Sequence, residues 1–319
     1  MPLAFIRLLR YASLTLLAWN LTAAAQPMAY ITNQGADSVS VIDLATDKVV
    51  ATIAVGHRPA GIAVRGTEAF VSNVEGRSVS VIDTGQNRVS REIAIDGSPV
   101  GLVLSPDGLT LYVADWFDDR VIAFDTRDSA HFRTLSVGQA PAGMLVSPDG
   151  QRLYIANRDS NDVAVVDTAS LAITTRIPVG KHPFGLALSP DGLTLYAVNV
   201  YGNSLSMIDT RLNQVIATIA VGDHPYCATS STDGQRVYVS NTQGDSVSVI
   251  DVASRRIVAT VPVDSTPEGI GYAGNKIYVA SWGDDTVSVI DAGSNKRLPS
   301  IPTGSQSRAF GQFIAGAPH

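Results

Sequence analysis

This chain of 319 residues lacks most of the residue patterns that announce chemistry. It carries one cysteine, Cys227, so no internal disulfide can form and stability has to come from packing. Aromatic residues make up 7% and charged residues 16% of the sequence, while glycine is plentiful, the balance of many short strands joined by tight turns. There is no C-x-x-C-H haem attachment sequence, no G-x-S-x-G elbow and no phosphate loop, so haem c, serine-hydrolase and nucleotide readings lack their chemical requirement. The net charge of -6 and pI of about 5.3 argue against a general affinity for phosphate backbones or anionic lipid.

Long apolar runs are also scarce. Arg7 and Arg10 precede an apolar stretch over 13–21, and Ala23 and Ala25 frame an A-x-A cleavage site before Gln26. This pattern predicts a secretory signal peptide over residues 1–25, with an uncleaved anchor as the alternative. The signal peptide makes the mature chain an expected periplasmic or secreted protein; no later segment could span a bilayer, and a monomer is expected.

What the sequence does contain is a repeat. The stretch YVSNTQGDSVSVID, 238–251, recurs along the chain, and its last aspartate appears as Asp43, Asp83, Asp125, Asp167, Asp209, Asp251 and Asp291. The intervals are 40, 42, 42, 42, 42 and 40 residues, a period that belongs to repeat architectures. Each copy holds four segments of strand length, seen at 185–188, 194–198, 204–209 and 214–221. The first two are joined by Ser-Pro-Asp-Gly turns at 105–108, 147–150 and 189–192, where proline presets the turn and glycine takes a positive φ. In SVSVID, small and apolar residues fall on both faces, so each sheet must be sandwiched between neighbours.

These features predict an all-β fold: one seven-bladed β-propeller of four-stranded blades over residues 26–319. The N-terminus supplies only the second, third and fourth strands of a blade, and 308–314 reads as a lone first strand. The C-terminal strand is therefore expected to close the ring by joining the N-terminal blade. The two short intervals are explained by trimmed first hairpins at 65–67 and 273–275.

The motifs LYVAD, LYIAN, RVYVSN and KIYVAS, with SVSVID, ATIAVG and P-x-G-I/L, resemble the YVTN β-propeller repeat family over 29–314. The resemblance implies an exported or surface protein, similar to the periplasmic seven-bladed type, one relative of which binds single-stranded DNA. It says much about fold and little about function.

Departures from the repeat mark the candidate site. Between proline and glycine of the G-x-x-P-x-G segment stand Ala60, Val100, Ala142, Phe184, Tyr226, Glu268 and Arg308, with Ser307 in place of the last proline, three small residues and then four large ones. Before the proline stand Arg58, His182 and His224, among others, and the glycine becomes Cys227 in one copy and Ala309 in another. The loop after the second strand adds Trp116, Phe117, Tyr201 and Trp282, near Arg120 and Arg158, and aromatics beside arginines can stack bases or sugars. Acidic residues in the same loops dilute any positive field.

The expected ligand-binding channel rim is thus His182, Phe184, His224, Tyr226, Glu268, Arg308, Arg58, Trp116, Tyr201 and Trp282. Glu268 and Arg308 read as an ion pair across neighbouring blades. No catalytic residue, cofactor or metal is expected, although His182, His224 and Cys227 form a weak ligand constellation. The expected function is a non-enzymatic scaffold binding a partner protein or small ligand at the channel mouth. Single-stranded nucleic-acid binding, disfavoured by the acidic pI, and a metal-assisted lactonase or lyase are the alternatives.

Overall fold

In the computed structural model, residues 27–315 form seven antiparallel sheets arranged as the blades of a propeller. The predicted signal peptide lies outside the described residues. Six blades occupy 59–94, 99–136, 141–178, 183–220, 225–262 and 267–302, each with four strands in sequential order. The seventh combines Met28–Asn33, Ser38–Asp43 and Lys48–Ala54 with the end of the chain. No helix among the described residues is long and apolar enough to cross a membrane.

Both faces of the middle strands are dry, as the sequence pattern requires. The repeat aromatic of the second strand, Tyr30, Phe70, Tyr112, Tyr154, Tyr196, Tyr238 or Tyr278, is at most 3% exposed in every blade. The hydrophobic cores therefore lie between blades, where Tyr238, Val249 and Ile277 pack together and where Tyr196, Val239 and Leu205 do the same. Hydroxyls stitch the blades further, with Thr32 Oγ1, Ser72 Oγ and Ser240 Oγ donating to the carbonyls of Ala60, Val100 and Glu268 in the next blade.

The polar letters of the repeat hold turns. Asn241 is fully buried; its Nδ2 donates to Ser246 and Ser248 and its Oδ1 accepts from Gly222 N. That one amide ties the loop after the second strand to the segment entering the blade. The recurring aspartates accept from backbone N–H groups two or three residues on, and Asp251 also accepts from Ser254 Oγ at 2.6 Å.

Closure of the ring is irregular. Arg308 N donates to Thr32 O, Tyr30 N to Phe313 O and Ala315 N to Met28 O, so the C-terminal segment lies along the N-terminal strand as the fourth member of that blade. Between the bridges Asn33–Ser307 and Ala29–Ile314 it advances seven residues against four. The equivalent span in a regular blade, Pro141 to Met144 against Asn157 to Ile155, advances three against two. Two surplus residues are therefore looped out. Phe310–Gln312 leaves its own blade and pairs in parallel with Gly61–Ala63 of the next, and Gly311, at φ 112°, takes a conformation that suits glycine.

Candidate binding face and channel

The segments entering each blade and the loops after the second strands share one end of the channel, here the upper face. Arg58, Ala140, His182, His224, Thr266 and Gln306, each just before an inner strand, have left-handed backbone with φ from 48° to 58°. Such a conformation costs a non-glycine residue roughly 1 kcal/mol. It is held by a carboxylate or amide from the preceding blade: Asp37 accepts from Arg58 N, Asn161 from His182 N, Asn203 from His224 N and Asp285 from Gln306 N. Several of the acidic loop residues are therefore turn caps.

The ring of residues after the prolines faces the channel, and its asymmetry is a filling of space. Ala60 and Ala142 are buried and small, and Phe184, Tyr226, Glu268 and Arg308 extend into the room they leave. Phe184 packs on Tyr226, with ring centroids 4.1 Å apart, and on Phe310 at 4.8 Å. Arg308 Nε donates to Glu268 Oε2 at 2.5 Å and its Nη2 to Tyr226 Oη at 2.7 Å. Burial pushes the Glu268 carboxyl up, partly offset by Arg308, while the Glu268 charge keeps Arg308 firmly protonated. Burial also raises Tyr226 and the Cys227 thiol, so neither supplies a ready anion at neutral pH. Four of the expected rim residues thus form a layer across the channel just below its upper mouth.

Above that layer the side chains form two arcs. In one, the Arg158 guanidinium lies 5.7 Å from the Trp116 ring and 5.6 Å from the Tyr201 ring, and Trp116 also meets Phe184 at 6.0 Å. Tyr201 in turn stands between His182 and His224, with centroid distances of 4.6 and 5.2 Å. The phenol ring separates the two imidazoles, and Cys227 sits in the channel wall with its N–H donated to Ser240 Oγ. These positions do not converge as a ligand set, and among the described residues no group of three or more His, Cys, Asp or Glu side chains could hold a metal. Tyr201 is 54% and the neighbouring Phe117 75% exposed, so this arc presents aromatic surface to solvent.

The second arc is polar. Trp282 Nε1 and Arg58 Nη2 both donate to Gln34 Oε1 at 3.4 Å, Arg58 Nη1 donates to Gln306 Oε1 at 3.2 Å, and Glu75 lies 3.4 Å from Arg58 Nε. The ten expected residues therefore fall into three groups: a buried layer, an exposed aromatic arc and a half-buried polar arc. In the sequence Arg158 stands out only as a neighbour of the aromatic loops, and Phe310 does not stand out at all, since in a one-to-one alignment of repeats it takes the place of Met144. The detectable signal was the loss of both repeat letters around Arg308, where Ser307 and Ala309 replace the proline and glycine.

Below the layer the channel widens into a cavity of about 210 Å³. It runs toward the opposite, lower face, between the exposed turn residues Pro148, Pro190 and Thr232.

The architecture defines the chain as a seven-bladed β-propeller. Residues 77–170 match the family described as lactonase, 7-bladed beta-propeller. Among solved structures the chain is similar to a Kuenenia stuttgartiensis hydrazine synthase, at 23% identity over 78% of this chain and 87% of that one, with a TM-score of 0.72. It is also similar to a functionally unknown protein from Desulfotomaculum acetoxidans DSM 771, at 16% identity, 89% and 99% coverage and a TM-score of 0.75. A third likeness is to the dihydro-heme d1 dehydrogenase NirN in complex with DHE, at 15% identity, 88% and 74% coverage and a TM-score of 0.67. At these identities the likenesses carry the fold. Comparison with curated proteins finds no match.

Proposed function

We propose that the protein is an exported propeller of the YVTN-repeat type that works by binding, presenting its upper face to a partner protein or a small ligand. The observation that carries this reading is the arc of Trp116, Arg158 and Tyr201, flanked by exposed Phe117. Rigid aromatic side chains held by an arginine make low-entropy anchors of the kind that dominate interfaces. The layer of Phe184, Tyr226, Glu268 and Arg308 supports this surface from below, because it gives the aromatic arc a packed floor. Arg158 Nη1 is already paired with Asp159 at 2.5 Å, and the chain is acidic overall, so a polyanionic strand is the less favoured ligand.

The test is affinity capture from an extract of exported proteins with wild-type protein and with a Phe117→Ala, Trp116→Ala, Tyr201→Ala triple variant. The expected result is a partner held by the wild type and lost from the variant. Identical capture by both would remove the upper face from the function. In parallel, a labelled single-stranded oligonucleotide should be retained weakly and lose binding as salt rises.

The match of 77–170 to the lactonase family supports a second reading, hydrolysis of a small lactone. Its test is proton release from sugar lactones, with Glu268→Gln as the control, since Glu268 is the acidic side chain within the channel layer. The binding reading expects no turnover above the uncatalysed rate.

A further inference from the structure

We propose that the lower-face cavity is a second binding site, distinct from the upper face, for a small uncharged molecule with an apolar body and one hydroxyl or carbonyl group. The volume of about 210 Å³ is far more than the roughly 10–15 Å³ that one water needs by the same measure, so a ligand on the order of ten non-hydrogen atoms fits. The walls are apolar, with Leu102, Met144, Leu186, Ala228, Ile270 and Phe313 among them, and Phe310 of the looped-out C-terminal segment contributes to the lining.

The chemistry of the lining selects the charge of the ligand. Among the described residues that line the cavity there is no Asp, Glu, Lys, Arg or His. The buried ion pair of Arg308 and Glu268 lies in the layer above and is satisfied by its own members and Tyr226. An ionised ligand would give up water without gaining a counter-charge.

Polar contacts are nevertheless on offer. Each regular inner strand is the edge of its sheet, so its backbone groups not used by the second strand face the channel. Apart from Tyr272, whose Oη donates to Asn275 Oδ1 at 3.4 Å, the lining hydroxyls cluster in one blade, where Thr229, Ser230, Ser231 and Thr232 follow one another toward the lower mouth. Ser230 Oγ is committed to Leu188 O and Ser231 Oγ to Asp233, whereas the hydroxyls of Thr229 and Thr232 have no hydrogen-bond partner among the described residues. This sidedness orients a ligand, with its polar group toward the Thr229 side and its apolar body against Phe310 and Phe313.

Equilibrium dialysis of the mature protein with naphthol and with naphthoate at neutral pH tests the site, since the two probes share a ring system and differ in charge. Naphthol should bind one molecule per chain, and naphthoate at least ~tenfold more weakly. Thr229→Phe, which fills the cavity, and Thr232→Trp, which narrows the exposed mouth without touching the core, should each weaken naphthol binding about tenfold or more. Trp116→Ala on the upper face should leave it unchanged, which separates this site from the upper-face reading. Absence of naphthol binding, equal binding of naphthoate, or full naphthol binding by a folded Thr232→Trp and Thr229→Phe protein would each overturn the proposal.

Discussion

Arg308, in the closing C-terminal segment, reaches back to Glu268 in the preceding blade, Nε to Oε2 at 2.5 Å, and the two close the channel together with Tyr226. Two charges taken out of water this deeply hold each other in place, and their mutual attraction offsets a large loss of hydration. Removing either one leaves the other unpaired. Glu268→Ala or Arg308→Ala should each cost about 3–5 kcal/mol in urea denaturation. The combined Glu268→Gln and Arg308→Met protein should be destabilised by much less than the sum of the single changes. Additive losses would mean the pair is not coupled.

The same segment closes the ring. Deleting 308–319 removes the bonds to Thr32 and Tyr30 and takes Phe310 out of the channel. The loss should be several kcal/mol and should lower the melting temperature by about 10 °C or more. A truncated protein that melts like the full chain would refute closure by this strand.

The buried amide of the repeat tolerates a charge in one blade alone. Asp115 stands where most blades have asparagine, is fully buried, and meets Arg120 Nε at 2.9 Å. Asn241 has no such cation, since its partners are Ser246, Ser248 and Gly222 N. Asn241→Asp should therefore lower stability by about 3 kcal/mol or more, as an uncompensated buried charge, whereas Asp115→Asn should stay within about 1 kcal/mol. Thermal denaturation of both variants decides it, and equal effects would count against the assignment.

Acid should unfold the propeller through its turns. Asp167, Asp251 and Asp291 each accept from a serine hydroxyl and a backbone N–H, which holds their carboxyls below the usual range. A group with a lowered folded value gives stability above its unfolded value, near ~3.9, that is lost as pH falls through the folded value. Glu268, raised by burial, has the opposite sign: its contribution is present in acid and lost as pH rises through its folded value. The urea midpoint should fall below pH ~4, and changing all three aspartates to asparagine should lower the midpoint at neutral pH and flatten that limb. An unchanged limb would place acid sensitivity elsewhere.

Much of the fold was readable in advance because the repeat restates one solution seven times. The strands expected at 194–198 and 204–209 are found as Thr194–Asn199 and Ser204–Asp209, and the trimmed hairpins lie between Arg65 and Glu68 and between Ala273 and Lys276. Strand alternation and Pro-Asp-Gly turns act over a few residues, so their outcome is local. The ion pair of Glu268 and Arg308 was also foreseeable, since equivalent positions in successive copies must be neighbours. The meaning of the four large residues Phe184, Tyr226, Glu268 and Arg308 was not. As letters they mark a departure from the repeat, but whether they rim an open site or fill a channel depends on the bore of the ring, which no single repeat encodes.

The sequence by itself determined the blade, its period, its turns and the number of copies, because hydrogen-bonded strands and tight turns answer to neighbouring residues. Only the tertiary structure decided that Phe184, Tyr226, Glu268, Arg308 and Phe310 meet as one layer, that Arg158 lies between Trp116 and Tyr201, and that the cavity opens at the opposite face. Those contacts join side chains from separate blades. Their distances follow from how closely seven sheets pack around a common axis and from two surplus residues in the closing strand.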